Sequence, residues 1–133
     1  MNVENEIYNV VDENDQILGT ASRKQIHKNN LLHRSIHVLV FNSKNELFLQ
    51  KRAPSKDENP GLWDTSSAGH VDAGESYDEC AHRELWEELG LKANLKTSIK
   101  ISACQETYNE HVQVYSCITD AEININQEEI SEG

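Results

Sequence analysis

Residues 69–91 read GHVDAGESYDECAHRELWEELGL. Asp72-Ala73-Gly74 interrupts any extended run before it, and Ser76 has Glu79 three residues on, the spacing of a capping box. A helix is therefore predicted to start at Ser76. Tyr77, Ala81, Leu85 and Leu89 recur every four residues and form its buried stripe. Gly90 supplies the left-handed cap residue, so the helix is predicted to end at Leu89.

On that helix Glu84, Glu87 and Glu88 stand at i, i+3 and i+4, along the edge of the apolar stripe. Like charges at these spacings destabilise a helix by roughly 0.2–0.5 kcal/mol per pair. A divalent cation offsets that cost, and hard oxygen ligands suit Mg2+ or Mn2+. Such a metal can bridge phosphate oxygens and polarise a water, as phosphoanhydride hydrolysis requires. The bland alternative is a solvated acidic helix face.

Outward from the helix, the chain reads as one domain over residues 1–133, with its core at about 5–120. Ile7 to Val11 and Ile17 to Thr20 flank a turn at Asp12-Glu13-Asn14-Asp15, predicting an N-terminal hairpin. Ser22 and Gln25 repeat the capping-box spacing, so a short helix is predicted over Arg23 to His27. Ser35 to Phe41 and Leu47 to Gln50 read as strands around the turn Asn42-Ser43-Lys44-Asn45. Pro54 to Gly61 reads as a loop, and Leu62 to Val71 as mixed, extended chain. Thr97 to Cys104 and His111 to Thr119 are later strand candidates, and an acidic tail follows Ala121. Strands on both sides of one long helix imply an α/β or α+β sheet with helices packed on it. No closing helix is visible before Gly133, so the chain is expected to be truncated or unusually short for its class.

Lys plus Arg number 12 and Asp plus Glu 23, a net charge of −11. That field opposes binding to nucleic acid or to an anionic membrane, so neither is expected as a partner. It leaves room for a small phosphorylated ligand, because a bound cation or a local basic patch reverses the sign inside one cleft. No run of about 18 apolar residues is present, so no helical membrane span is expected. The acidic, polar start lacks the order of a secretory signal. Three cysteines with no close pair suit a reducing cytoplasm.

Gly69, five residues, Glu75, seven residues, Arg83-Glu84-Leu85, one residue, Glu87-Glu88, one residue and Gly90-Leu91 together resemble the Nudix box, G-x5-E-x7-R-E-U-x-E-E-x-G-U with U bulky and aliphatic, at every defined position. The resemblance implies an α/β/α sandwich around a mixed β-sheet, here lacking its C-terminal helix. It also implies a Mg2+-dependent hydrolase, Mn2+ being the alternative, that cleaves a phosphoanhydride bond in a nucleoside diphosphate derivative or related diphosphate. Glu84, Glu87 and Glu88 would then be metal ligands, with Arg83 and Glu75 paired to hold loop and helix. A homodimer is common among such proteins.

The chain from His33 to Leu91 is similar to the isopentenyl-diphosphate isomerase branch of this superfamily. The similarity runs through His33-Arg34, Lys51-Arg52, Lys56, Pro60-Gly61-Leu62-Trp63 and Gly69-His70. In that branch Arg52 and Lys56 fall at positions that hold a diphosphate, and Lys51 joins them in the same basic cluster. The alternative for this cluster is a solvated positive loop. Trp63 is read either as a stacking surface for a base or ring or as a core residue. His27, His33, His70 and Glu110 lie near the ligands of an isomerase metal, implying a second site suited to zinc or manganese. Ordinary bonded histidines are the alternative. The isomerases carry a catalytic cysteine just before the Gly-His pair, where this chain has Ala68, which can neither give nor take a proton. Isomerisation is thereby disfavoured, and a catalytically silent binder of a phosphorylated ligand is the third reading. Candidates for the general base are Glu84 and, in the tail, Glu128 or Glu129. Cys80 is read as helix packing, Cys104 and Cys117 as strand residues.

Overall fold

The computed structural model describes residues 6–53, 61–104, 107 and 109–126, and the backbone of 130–132. The first hairpin comprises β1 (Ile7–Val11) and β2 (Ile17–Ser22), and α1 (Arg23–Asn29) follows directly. Both halves of the predicted capping box form at Ser22 and Gln25. Then come β3 (His33–Phe41), β4 (Leu47–Phe48), β5 (Gln50–Arg52), β6 (Trp63–Asp64) and β7 (Ser67–His70). Helix α2 (Tyr77–Leu89), β8 (Lys96–Ile101), β9 (Glu110–Ile118) and β10 (Ile130–Glu132) complete the chain.

The main sheet is mixed. Its order is β4-β3-β9-β8, and β7 also pairs with β3. β3 and β9 run parallel in unbroken register from His33 opposite Glu110 to Phe41 opposite Ile118. β10, β5 and β6 form a second, antiparallel sheet. The class is α/β, a mixed sheet with two helices.

Helix α2 begins and ends as its residues dictate. Ser76 caps it reciprocally with Glu79, and Gly90 closes it at φ 65° in the left-handed region. Its Cys80, Ala81, Leu85 and Leu89 pack on Ile36, Val38 and Val40 of β3 and on Tyr115 and Cys117 of β9. Leu85 and Leu89 are fully buried, each contributing about 1.5–3 kcal/mol of transfer free energy. Tyr77, predicted in the same stripe, is half-buried beside this core. Helix α1 packs instead against the β1–β2 hairpin.

Three elements differ from their sequence reading. The strand predicted from Leu47 to Gln50 is split at Leu49, because β4 pairs with β3 while β5 crosses into the second sheet with β6. The strand predicted through Cys104 ends at Ile101, leaving Cys104 exposed outside it. The acidic tail holds a strand, β10, paired antiparallel with β5. Before it, the amides of Asn124 and Asn126 donate to the Leu89 and Glu88 carbonyls, at 2.8 Å each, satisfying acceptors that the end of α2 leaves open. Among the described residues no helix is long and apolar enough to cross a membrane.

Candidate functional site

Arg83 is the hub between α2 and the loop before it. Its Nε donates to Glu75 Oε2 at 2.7 Å and its Nη2 to Glu75 Oε1 at 3.0 Å, a two-pronged pair. Nη2 also donates to the His70 carbonyl at 3.2 Å. Nη1 is shared between Glu84 Oε1 at 2.7 Å and Glu87 Oε2 at 3.2 Å. One guanidinium therefore ties the loop to the helix and steers two carboxylates. Burial by itself would raise the Glu75 carboxyl, but the Arg83 hydrogen bonds outweigh it and hold the group below its ordinary range.

Glu84 and Glu88 lie deeper. Glu88 is 5% exposed. Its Oε1 accepts from the Gln50 amide at 3.1 Å, the Ser67 hydroxyl at 3.0 Å and the Ala68 backbone N–H at 3.2 Å. Glu84 neighbours it with no such set of donors. Burial, then the charge of Glu88, push the Glu84 carboxyl well above its ordinary range. Glu87 is half exposed at the rim of the group. Gly69 is what lets Glu84 lie where it does, since a Cβ built there would stand 2.3 Å from Glu84 Cδ.

A second cluster sits where β3, β7 and β9 meet. One ligand atom from each of His33, His70 and Glu110 lies within 4.8 Å of the others. His70 Nε2 is 3.0 Å and His33 Nε2 3.4 Å from the same oxygen, Glu110 Oε2. His33 Nδ1 lies 3.0 Å from the Leu31 carbonyl, which holds the ring with Nε2 toward the cluster. That Nε2 is buried and has no hydrogen-bond partner among the described residues. Burial would raise Glu110, but the His33 and His70 imidazoles beside it outweigh that and hold it far below the carboxylate range. Tyr8 stacks on both imidazoles, at 6.2 and 5.1 Å between ring centres. An orphaned imidazole nitrogen facing a carboxylate oxygen is an arrangement that a cation completes.

His27 does not join this cluster. It follows the buried Ile26 on α1, and the helical turn carries its side chain out to solvent. Lys51 and Arg52 sit on β5, Lys51 opposite Trp63 and Arg52 at 3.5 Å from Asp64. Trp63 is 54% exposed, so the core reading of it does not hold. Lys56, Glu128 and Glu129 lie outside the described residues. Gln50, Ser67 and Tyr8 were missed by sequence reasoning. A polar residue closing the predicted strand Leu47 to Gln50 was the one available hint for Gln50; for Tyr8 there was none.

The NUDIX domain family matches residues 31–132. An uncharacterized Nudix hydrolase of Pseudomonas aeruginosa is 39% identical over 123 residues, covering 92% of this chain and 73% of the relative. Isopentenyl-diphosphate Delta-isomerase 2 of Photorhabdus laumondii is 43% identical over 91 residues, 68% of this chain. The chain spans about half of that isomerase, 51% of its length. A crystal structure from Deinococcus radiodurans superposes with a TM-score of 0.84 at 29% identity, over 96% of this chain and 80% of that one.

Proposed function

This chain belongs to the Nudix family, and on that premise we propose that it is a Mg2+-dependent hydrolase cleaving a phosphoanhydride bond in a nucleoside diphosphate derivative or related diphosphate. Mn2+ is the alternative ion. The observation that carries the reading is the neighbouring carboxylates of part-buried Glu84 and buried Glu88, the first set against Gly69 and bordered by Arg83. Two neighbouring carboxylates drawn out of water are costly unless something positive completes them. With Glu87 they make an oxygen-only donor set, which fits a hard divalent cation. When bound, such a cation supplies Lewis-acid polarisation of a phosphate oxygen and of water.

The chain's own residues do the remaining work. Arg83, locked on Glu75, holds the loop and the carboxylates in one arrangement. The candidates for the general base, which takes a proton from the attacking water, are Glu84 and, in the tail, Glu128 or Glu129. Lys51, Arg52 and Lys56 bind phosphate oxygens, and the exposed Trp63 offers its face to a base or ring. The substrate is a phosphorylated small molecule, and the free thiols of Cys80, Cys104 and Cys117 support a cytoplasmic setting. The test is a panel of nucleoside di- and triphosphates, nucleotide sugars and dinucleotides with Mg2+, run beside Glu87→Gln/Glu88→Gln. Product release is expected to fall by orders of magnitude in the variant, and unchanged turnover rejects the assignment.

One observation favours a second reading. The His33–His70–Glu110 cluster has a nitrogen-rich donor set suited to zinc or manganese, and several relatives are named isopentenyl-diphosphate isomerases. Ala68 weighs against it, because no proton-transferring side chain stands before Gly69-His70. Proton NMR of isopentenyl diphosphate incubated with the protein decides: appearance of the dimethylallyl isomer would establish isomerisation, and its absence leaves hydrolysis.

A further inference from the structure

Three donors from two strands converge on one oxygen of Glu88. Gln50 comes from β5, Ser67 and the Ala68 amide from β7, and Glu88 itself from α2. Gln50 is 2% exposed and Ser67 is fully buried, so water does not substitute for either. A carboxylate has two oxygens and about four acceptor directions. Here these three donors all take Oε1, and the Glu84 carboxyl hydrogen-bonds the same group. The scaffold behind the donors is itself fastened. Ser66, next to Ser67, accepts the Val40 amide at 2.8 Å and donates to the Phe48 carbonyl. Gln50 also reaches the Ser66 carbonyl at 3.4 Å.

We propose that Gln50 and Ser67 are positioning residues that pin Glu88 Oε1 and thereby fix the orientation of a carboxylate that would hold a divalent cation on α2. The proposal rests on the hydrolase reading, which makes Glu88 a ligand. Neither residue belongs to the glutamate motif, and each bonds Glu88 and would not itself be a ligand. Their action is through the orientation of Glu88, the way outer hydrogen bonds hold a ligating side chain in place. Ser67→Ala and Gln50→Leu each remove one donor while Ala68 N–H remains. Each is expected to weaken cation binding about 10–100-fold, the range for loss of such outer partners.

The experiment is a Mn2+ titration by calorimetry and electron paramagnetic resonance on the full chain. Glu88→Gln identifies which binding component belongs to α2. Ser67→Ala and Gln50→Leu are then titrated beside Ser67→Thr, which keeps the hydroxyl. Thermal unfolding accompanies each, and Ser67→Ala serves alone if Gln50→Leu does not fold. The expected result is a component lost in Glu88→Gln, weakened at least tenfold in the donor deletions and restored in Ser67→Thr, with Tm within a few degrees of wild type. If Glu88→Gln removes the component but the donor deletions leave its Kd within twofold, the positioning role is overturned and the metal reading stands. If Glu88→Gln changes nothing, the cation does not sit on Glu88, and both are overturned.

Discussion

Gly69→Ala adds one methyl group at a point where the structure has no room for it. The new Cβ would lie 2.3 Å from Glu84 Cδ, 2.5 Å from its Oε1 and 2.7 Å from its Cγ, where ordinary contact begins at 3.4 Å. The Glu84 carboxyl must retreat by about 1 Å or more, breaking its 2.7 Å bond to Arg83. Gly69 is not among the glycines at positive φ, so alanine brings no backbone penalty there. Without the clash the substitution would be mildly stabilising, by about 0.4–1 kcal/mol. With it, overpacking costs about 1–3 kcal/mol. The assay is a urea-unfolding cycle of wild type, Gly69→Ala, Glu84→Ala and the double variant. Glu84→Ala opens the space, so Gly69→Ala is expected to be neutral or stabilising in that background. A coupling of roughly 1–3 kcal/mol between the sites follows. In the hydrolysis panel, Gly69→Ala is expected to lose about 100-fold, the scale for displacing a reacting group by ~1 Å. Equal free-energy changes in both backgrounds would refute the steric argument.

Three further outcomes are expected. Arg83→Lys keeps the charge but loses the fork that holds Glu75; urea unfolding is expected to show a loss of about 1–2 kcal/mol, and wild-type stability would show that the pair is idle. Asp15 is raised by burial but held lower on balance by hydrogen bonds from Lys100, Tyr77 and Arg34, so its folded pKa is depressed. The stability it contributes is therefore present above its unfolded pKa and lost as pH falls through the lower folded value. Asp15→Asn, which suits the left-handed backbone there at φ 62°, is expected to lower Tm at pH 7 and to converge with wild type toward pH 3; a gap constant with pH contradicts this. Trp63→Ala is expected to change stability by less than about 0.5 kcal/mol, since the ring is exposed, while raising KM in the hydrolysis panel; an unchanged KM removes Trp63 from the substrate site.

Local signals in the amino-acid sequence determined most of α2: its cap at Ser76, its buried Ala81, Leu85 and Leu89, its stop at Gly90 and the spacing of its glutamates, though Tyr77 of the same stripe is only half-buried. Each depends on residues within one or two turns, where helical geometry alone fixes who meets whom. The Arg83–Glu75 pair, eight residues apart, was implied by the motif those residues share. Tertiary structure decided the rest. The Gln50 and Ser67 bonds to Glu88 span 38 and 21 residues, and nothing local to either residue names its partner. Glu110 meets His33 because β3 and β9 pair in parallel in one register, and a slip of one residue would turn Glu110 to the other face. The same dependence split the strand at Leu49 and paired the tail with β5. Periodicity states which residues of an element face inward; which other element they meet there depends on register, and register is settled only when the whole sheet packs against its helix.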